Sequence, residues 1–257
     1  MTLEHGTYCD ELVRQATELR SHLSGADLSA TVPTCPDWTL RELAVHVGGA
    51  HRWVEHIVRT RATSMVKPGE VPDAGGPESD DPAALDAWLA ESAERCAAAL
   101  REAGPDLKVW SWMGDTTTSF WSRRMTHETA VHRADAAGTV GAPYALPADV
   151  AADGIDEWLD IITFVQAFKK DEAPLGEPGQ SLHLHATDAP EAEWFIEIGD
   201  EGFTWRRAHA KATVALRGPL ADVLRVFYRR LPVDSPSVEI LGEPAVLDHW
   251  LTTTAFG

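Results

Sequence analysis

Glu128 and His132 stand four residues apart in the stretch MTHETAVHRADAAG, positions 125–138. In a helix, positions i and i+4 share one face, so a carboxylate and an imidazole there can grip one divalent ion. An intrahelical hydrogen bond on a solvated face would use the same spacing. The choice between these readings depends on a third donor from elsewhere in the chain. His46 offers one, within the apolar run LAVHVGG. An imidazole at the edge of an apolar stripe needs a polar partner. It is either a satisfied core histidine or a third ligand from a facing helix. Two ligands from one helix and one from a neighbour is how bundles build interior metal sites. Three N/O ligands with an open fourth position describe a catalytic zinc site rather than a structural one. His51 and His56 are rivals for the third place. His51 is turned about 140° round the helix from His46, and His127 about 100° from Glu128, so neither can share a site with its neighbour.

Helices must carry these residues, and the sequence marks them. Residues 7–23 have apolar positions at helical spacing, and Gly25 is a plausible stop. TVPTCPDWT, residues 31–39, reads as an irregular entry loop. Thr39-Leu40-Arg41-Glu42 matches a capping box and starts a helix expected over about 40–61. Gly48-Gly49 inside it costs about 1 kcal/mol per glycine relative to alanine, which points either to close approach of a helix or ligand or to plain tolerance. Residues 66–81 read as a surface loop. Asp81 caps a third helix with Pro82 at its first position, ending near Gly104. A loop carrying Trp110 and Trp112 precedes a fourth helix, about 118–137, stopped by Gly138. A fifth, over about 146–170, has Asp149 near its start. Beyond that, SLHLHAT, AEWFIEIG, GFTWRRA and KATVALRG are short alternating runs, which predicts strands. Helix LADVLRVFYRRL, strand SVEILG and helix EPAVLDHWLTTTAF complete the chain. The expectation is a helical bundle over 1–170 followed by a small α+β domain over 171–257.

Composition narrows the function. The 257 residues include 40 acidic and 22 basic side chains, a formal charge of −18. That disfavours binding to a nucleic-acid backbone or an anionic membrane, while a few arginines in a pocket can still hold a small anion. Three cysteines without a C-x-x-C motif argue against a disulfide framework and a zinc–thiolate site. The N-terminal residues lack the pattern of a signal peptide, and no apolar run is long enough to span a bilayer, so a cytoplasmic location is expected. No heptad seam is visible, so the chain could be a monomer or a homodimer.

VPTCPDWTLRELAVHVGGAHRW and MTHETAVHRADA together closely resemble the mycothiol-dependent maleylpyruvate isomerase family, actinobacterial DinB-like metal-binding four-helix bundles. The similarity continues through ALPADVAADGIDEWLD. It extends to ATVALRGPLADVLRVFYRRLP and VEILGEPAVLDHWL, which look like the family's sterol-carrier-protein-like domain. The resemblance implies His46, Glu128 and His132 as metal ligands and mycothiol as the thiol cosubstrate, so the chain's own cysteines need not take part. It also implies an arginine of the C-terminal domain near the active site, matched by Arg230, with Arg229 as the alternative. A bound divalent ion, by this resemblance Zn²⁺, deprotonates a coordinating thiol. The thiolate could add to an electron-poor alkene and leave after bond rotation, which is cis–trans isomerisation. It could instead stay on the electrophile, which is S-transfer. A non-enzymatic small-molecule binding protein, or thiol-independent chemistry in the same cleft, is the alternative.

Three further features carry two readings each. Cys35 is a packed small hydrophobe or a reactive thiol near a helix N-terminus. Trp110, Trp112 and Trp121, with the 66–81 loop, are core and cover or an aromatic cleft wall. His183 and His185 alternate to one sheet face, but without a nearby carboxylate motif a second metal site is not expected there.

Overall fold

Thr39 opens the helix that carries His46. Its hydroxyl accepts from the Glu42 amide at 3.3 Å, and the Glu42 carboxylate accepts from the Thr39 amide at 2.7 Å, so the expected capping box is formed. The computed structural model describes residues 2–168 and 174–255, which divide into two units, Thr2–Tyr144 and the chain from Ala145 onward.

The first unit is built on four helices: α1 (His5–Leu23), α2 (Leu40–Thr60), α3 (Pro82–Ala103) and α4 (Thr118–Val140). Helix α1 packs on α3 and α4, and α2 on α3 and α4. Two apolar clusters fill the interior, one around Leu12, Ile57, Leu100 and Trp121, the other around Leu19, Leu43, Val47 and Leu89. Gly48 answers the question its position raised: a Cβ there would lie 2.1 Å from the Trp88 ring of α3. The missing side chain is what lets the indole lie against α2. At Gly49 a Cβ would meet the Ala74 carbonyl oxygen at 2.7 Å.

Helix α4 departs from the amphipathic pattern of a bundle helix. Its buried residues include Ser122, Thr126, His127, Thr129, His132 and Asp135. Buried polar groups require partners, and several are supplied: Thr126 Oγ1 donates to the Tyr8 carbonyl at 2.8 Å, and Thr129 Oγ1 donates to the Met125 carbonyl at 2.6 Å. The helix also runs past Gly138. Its left-handed cap is Gly141, with φ of 67°, and the Ala142 amide donates to the Ala137 carbonyl.

Two segments expected as loops are hairpins. Strand β1 (Thr31–Val32) pairs antiparallel with β2 (Cys35–Thr39), and β3 (Lys108–Ser111) with β4 (Gly114–Thr117). Strands this short carry too little alternation to register as a pattern. The first hairpin feeds directly into α2 and so sets the position of Trp38 and Cys35.

In the second unit, α5 (Ala148–Phe168) lies with a five-stranded sheet rather than with the bundle. The expected boundary at 170 therefore moves to about 145; residues 169 and 170 themselves lie outside those described, as does Phe256 of the last expected helix. Buried polar contacts give the reason. Asp156 of α5 accepts from Trp194 Nε1 at 2.7 Å and from the Arg207 guanidinium at 2.7 Å. Tyr228 donates to the Gly154 carbonyl at 3.1 Å. An apolar stripe on α5 says that it packs, but these residues say against what.

The strands are β5 (Ser181–Ala186), β6 (Glu193–Gly199), β7 (Gly202–Arg207), β8 (Val214–Gly218) and β9 (Glu239–Gly242), in the order β7-β6-β5-β8-β9. All pairs are antiparallel except β5 with β8. Helices α6 (Leu220–Phe227) and α7 (Pro244–Thr253) complete the unit. Leu220, Val223, Leu224 and Phe227 form the buried stripe of α6. Among the described residues, no helix is long and apolar enough to cross a membrane.

Candidate metal centre

His46, on the second turn of α2, meets Glu128 and His132 of α4. Glu128 Oε1 lies 3.1 Å from His46 Nε2 and 3.2 Å from His132 Nε2. The two imidazoles stand edge to face, with centroids 4.9 Å apart and planes at 82°. One donor atom from each of the three residues falls within 4.8 Å of the other two. The His46 side chain is 37% exposed while that of His132 is 8%, so the cluster opens to solvent on the α2 side.

Residues around the triad orient it. Asp135, one turn beyond His132, accepts from His132 Nδ1 at 2.8 Å, which turns Nε2 toward Glu128. Thr34 Oγ1 donates to the other Asp135 oxygen at 2.5 Å. Arg124, one turn before Glu128, donates to Oε2 at 3.0 Å and leaves Oε1 for the two histidines. Trp38 covers the rings from the first hairpin, its centroid 4.6 Å from His46 and 5.8 Å from His132. Cys35 Sγ lies 3.8 Å from Asp135 Oδ2 and otherwise packs against the core beneath α2.

Electrostatics prepare the site for a cation. Burial opposes ionisation of Glu128, yet hydrogen bonds with His132 and His46 and the charge of Arg124 hold its carboxyl well below the usual carboxylate range. Burial also opposes charge on His132, but its contacts with Asp135 and Glu128 prevail and lift it to about 9. Near neutral pH, His132 is therefore a proton-bearing ring bracketed by two carboxylates. A metal ion must displace that proton, so affinity falls as pH falls. Two imidazoles and one carboxylate suit a borderline divalent ion such as Zn²⁺. An imidazole whose far nitrogen is held by a carboxylate is the usual outer-sphere arrangement of such ligands.

The rival histidines are occupied elsewhere. His51 is buried with Nε2 2.8 Å from Thr129 Oγ1. His127 is buried against Tyr8, and His56 belongs to none of the clusters of ligand atoms close enough to share an ion among the described residues. The tryptophans at 110 and 121 pack with Trp53 and Phe120 in one apolar cluster, so core packing accounts for them. Trp38 is the aromatic at the site, and it was not singled out in the sequence; its signal is its place immediately before the cap Thr39. Asp135 and Arg124 were also missed, although Arg124, Glu128 and His132 repeat at intervals of four and so share one face of α4. Arg230 belongs to the second unit, just beyond α6. It is half-buried, and its guanidinium donates to the Tyr228 carbonyl at 2.9 Å. Arg229 is exposed with a left-handed backbone, φ 61°.

The fold is a DinB-like helical domain followed by a small sheet domain. The model of the mycothiol maleylpyruvate isomerase N-terminal domain matches residues 9–137, and that of the family's C-terminal domain matches residues 149–249. The chain belongs to the mycothiol maleylpyruvate isomerase family. Among solved structures it is similar to a mycothiol-dependent maleylpyruvate isomerase at 18% identity and a TM-score of 0.59, covering 94% of this chain and 95% of that one. A histidine-to-alanine mutant of such an isomerase matches at 17% identity with the same TM-score and coverage. No curated protein matches in sequence.

Proposed function

We infer that this chain is a metal-dependent, mycothiol-using enzyme that isomerises a small maleylpyruvate-type electrophile. The observation that carries this reading is the convergence of His46 Nε2, Glu128 Oε1 and His132 on one point, with His46 facing solvent. His46, Glu128 and His132 would hold a divalent ion, by the chemistry of the donors Zn²⁺. Such an ion, when bound, keeps a coordinating thiol as its thiolate at neutral pH.

The remaining work falls to the chain. Asp135 holds the Nδ1 proton of His132, which keeps the Nε2 lone pair directed into the site. Arg124 neutralises and orients Glu128 through Oε2. Trp38 shields both imidazoles from water on one side. Arg230 is assigned, on the family resemblance, to the substrate carboxylate, for which a guanidinium offers paired N–H donors.

The same donor set also serves S-transfer, and thiol accounting distinguishes the two reactions. Isomerisation regenerates the thiol, so many substrate molecules turn over per mycothiol. S-transfer consumes one thiol per product. The test is turnover of maleylpyruvate by the zinc-loaded protein with mycothiol at a small fraction of the substrate concentration. Complete conversion to the trans isomer supports the proposal. Conversion that stops at one equivalent of thiol supports S-transfer, and conversion independent of thiol contradicts both.

A further inference from the structure

We propose that the second unit carries a metal site of its own, formed by His183, His185, Glu193 and His209, for a borderline divalent transition ion such as Zn²⁺. The proposal goes beyond the bundle centre and does not depend on it. Strand β5 places His183 and His185 on one face, because side chains two apart in a strand point the same way. The alternate residues Leu182, Leu184 and Ala186 are buried. The antiparallel register sets Glu193 of β6 directly opposite His185. The chain leaving β7 stays beside β6, with the Ala208 amide donating to the Glu193 carbonyl at 3.2 Å, and this brings His209 alongside. A carboxylate ten residues from His183 is thus delivered by strand pairing.

A single carboxylate oxygen, Glu193 Oε2, lies 2.8 Å from His183 Nε2, 3.2 Å from His185 Nδ1 and 2.6 Å from His209 Nδ1. The three rings meet pairwise at 73°, 89° and 70°, with centroids 5.2 to 5.9 Å apart. One donor atom from each of the four residues lies within 4.8 Å of all the others. Ordinary hydrogen bonding accounts poorly for this. A carboxylate oxygen presents about two lone pairs, yet three imidazole nitrogens crowd onto this one oxygen. A cation among the four takes a lone pair from each nitrogen and one from the carboxylate. The bundle centre has the same signature on a smaller scale, two imidazole nitrogens on Glu128 Oε1.

Three imidazoles and one carboxylate favour Zn²⁺, Ni²⁺ or Cu²⁺ over Ca²⁺ or Mg²⁺, which take oxygen ligands. Four protein donors complete a tetrahedral shell, so the site is structural, pinning the segment after β7 to the β5–β6 pair. The His209 side chain is 76% exposed and marks the side from which an ion enters.

The test is Zn²⁺ titration of the metal-stripped full chain against a chromophoric chelator. It compares wild type, a bundle variant (His46→Ala with Glu128→Gln), a sheet variant (Glu193→Gln with His209→Ala) and the combination of all four changes. Two equivalents for wild type, one for either variant and none for the combination are expected. His209→Ala alone, a change at an exposed position, should weaken one of the two sites by at least about tenfold with an unchanged circular dichroism spectrum. A folded bundle variant that binds no zinc overturns the proposal, as does an equivalent that survives in the combined variant. If only the sheet variant loses zinc, the sheet site stands and the bundle reading falls.

Discussion

Asp135 Oδ2 sits 2.8 Å from His132 Nδ1, on the side of the ring away from Glu128. A carboxylate can only accept there, so Nδ1 carries the proton and Nε2 is left for a cation. Asp135→Asn replaces it with a group that can donate to Nδ1 and favour the other tautomer. Zinc affinity of the bundle centre should fall by about 10- to 100-fold, measured by chelator competition, with the helix content unchanged. Unchanged affinity would show that the contact does not orient the ligand.

Gly48→Ala exchanges a poor helix former for the best one, which alone would stabilise α2 by about 1 kcal/mol. The added methyl, however, would meet the Trp88 ring at 2.1 Å. We expect a net loss of about 1–3 kcal/mol in urea unfolding. Trp88→Leu in the Gly48→Ala background should recover part of that loss. A stabilised single variant would mean that the indole moves freely.

His51 gives the fold a defined acid sensitivity. Burial holds its imidazole down to about 4, from 6.5. Between those values the unfolded chain binds a proton that the folded chain excludes. Its contribution is therefore complete above pH of about 6.5 and is lost as pH falls toward 4, by about 3 kcal/mol in total. Urea unfolding of the chelator-treated protein at several pH values checks this. His51→Gln should flatten the pH dependence in that window, and a variant as acid-sensitive as wild type would contradict it.

Arg230 and Arg229 should separate kinetically. Arg230→Met is expected to raise KM for an anionic substrate more than it lowers kcat, since it removes a binding contact made before the transition state. Arg229→Met, at an exposed position, should leave both nearly unchanged. Equal effects from the two variants would remove the assignment of Arg230.

The starts of α2 and α3 were legible because each has local punctuation, Thr39 with Glu42 and Asp81 with Pro82, whereas α4 runs past the expected stop at Gly138 to a cap at Gly141. The convergence of His46, Glu128 and His132 was legible because two share a helix face and the third stands in a recognisable motif. The residues that orient them were less so. Trp38 reaches the site only through a hairpin too short to read, and Asp135 lies on α4, whose buried polar residues hide any stripe. Glu193 was missed because strand register, not sequence spacing, places it opposite His185. Helix α5 was assigned to the wrong unit because an apolar face does not name its partner; the Asp156 contacts with Trp194 and Arg207 do.

The most direct measurement of the central claim is mycothiol-dependent turnover of maleylpyruvate by wild type and by His46→Ala, each supplied with zinc and shown to be folded. The account predicts turnover by wild type that requires both zinc and mycothiol, and none by His46→Ala. Equal rates for the two proteins, or a wild-type rate unaffected by stripping the metal, would contradict it.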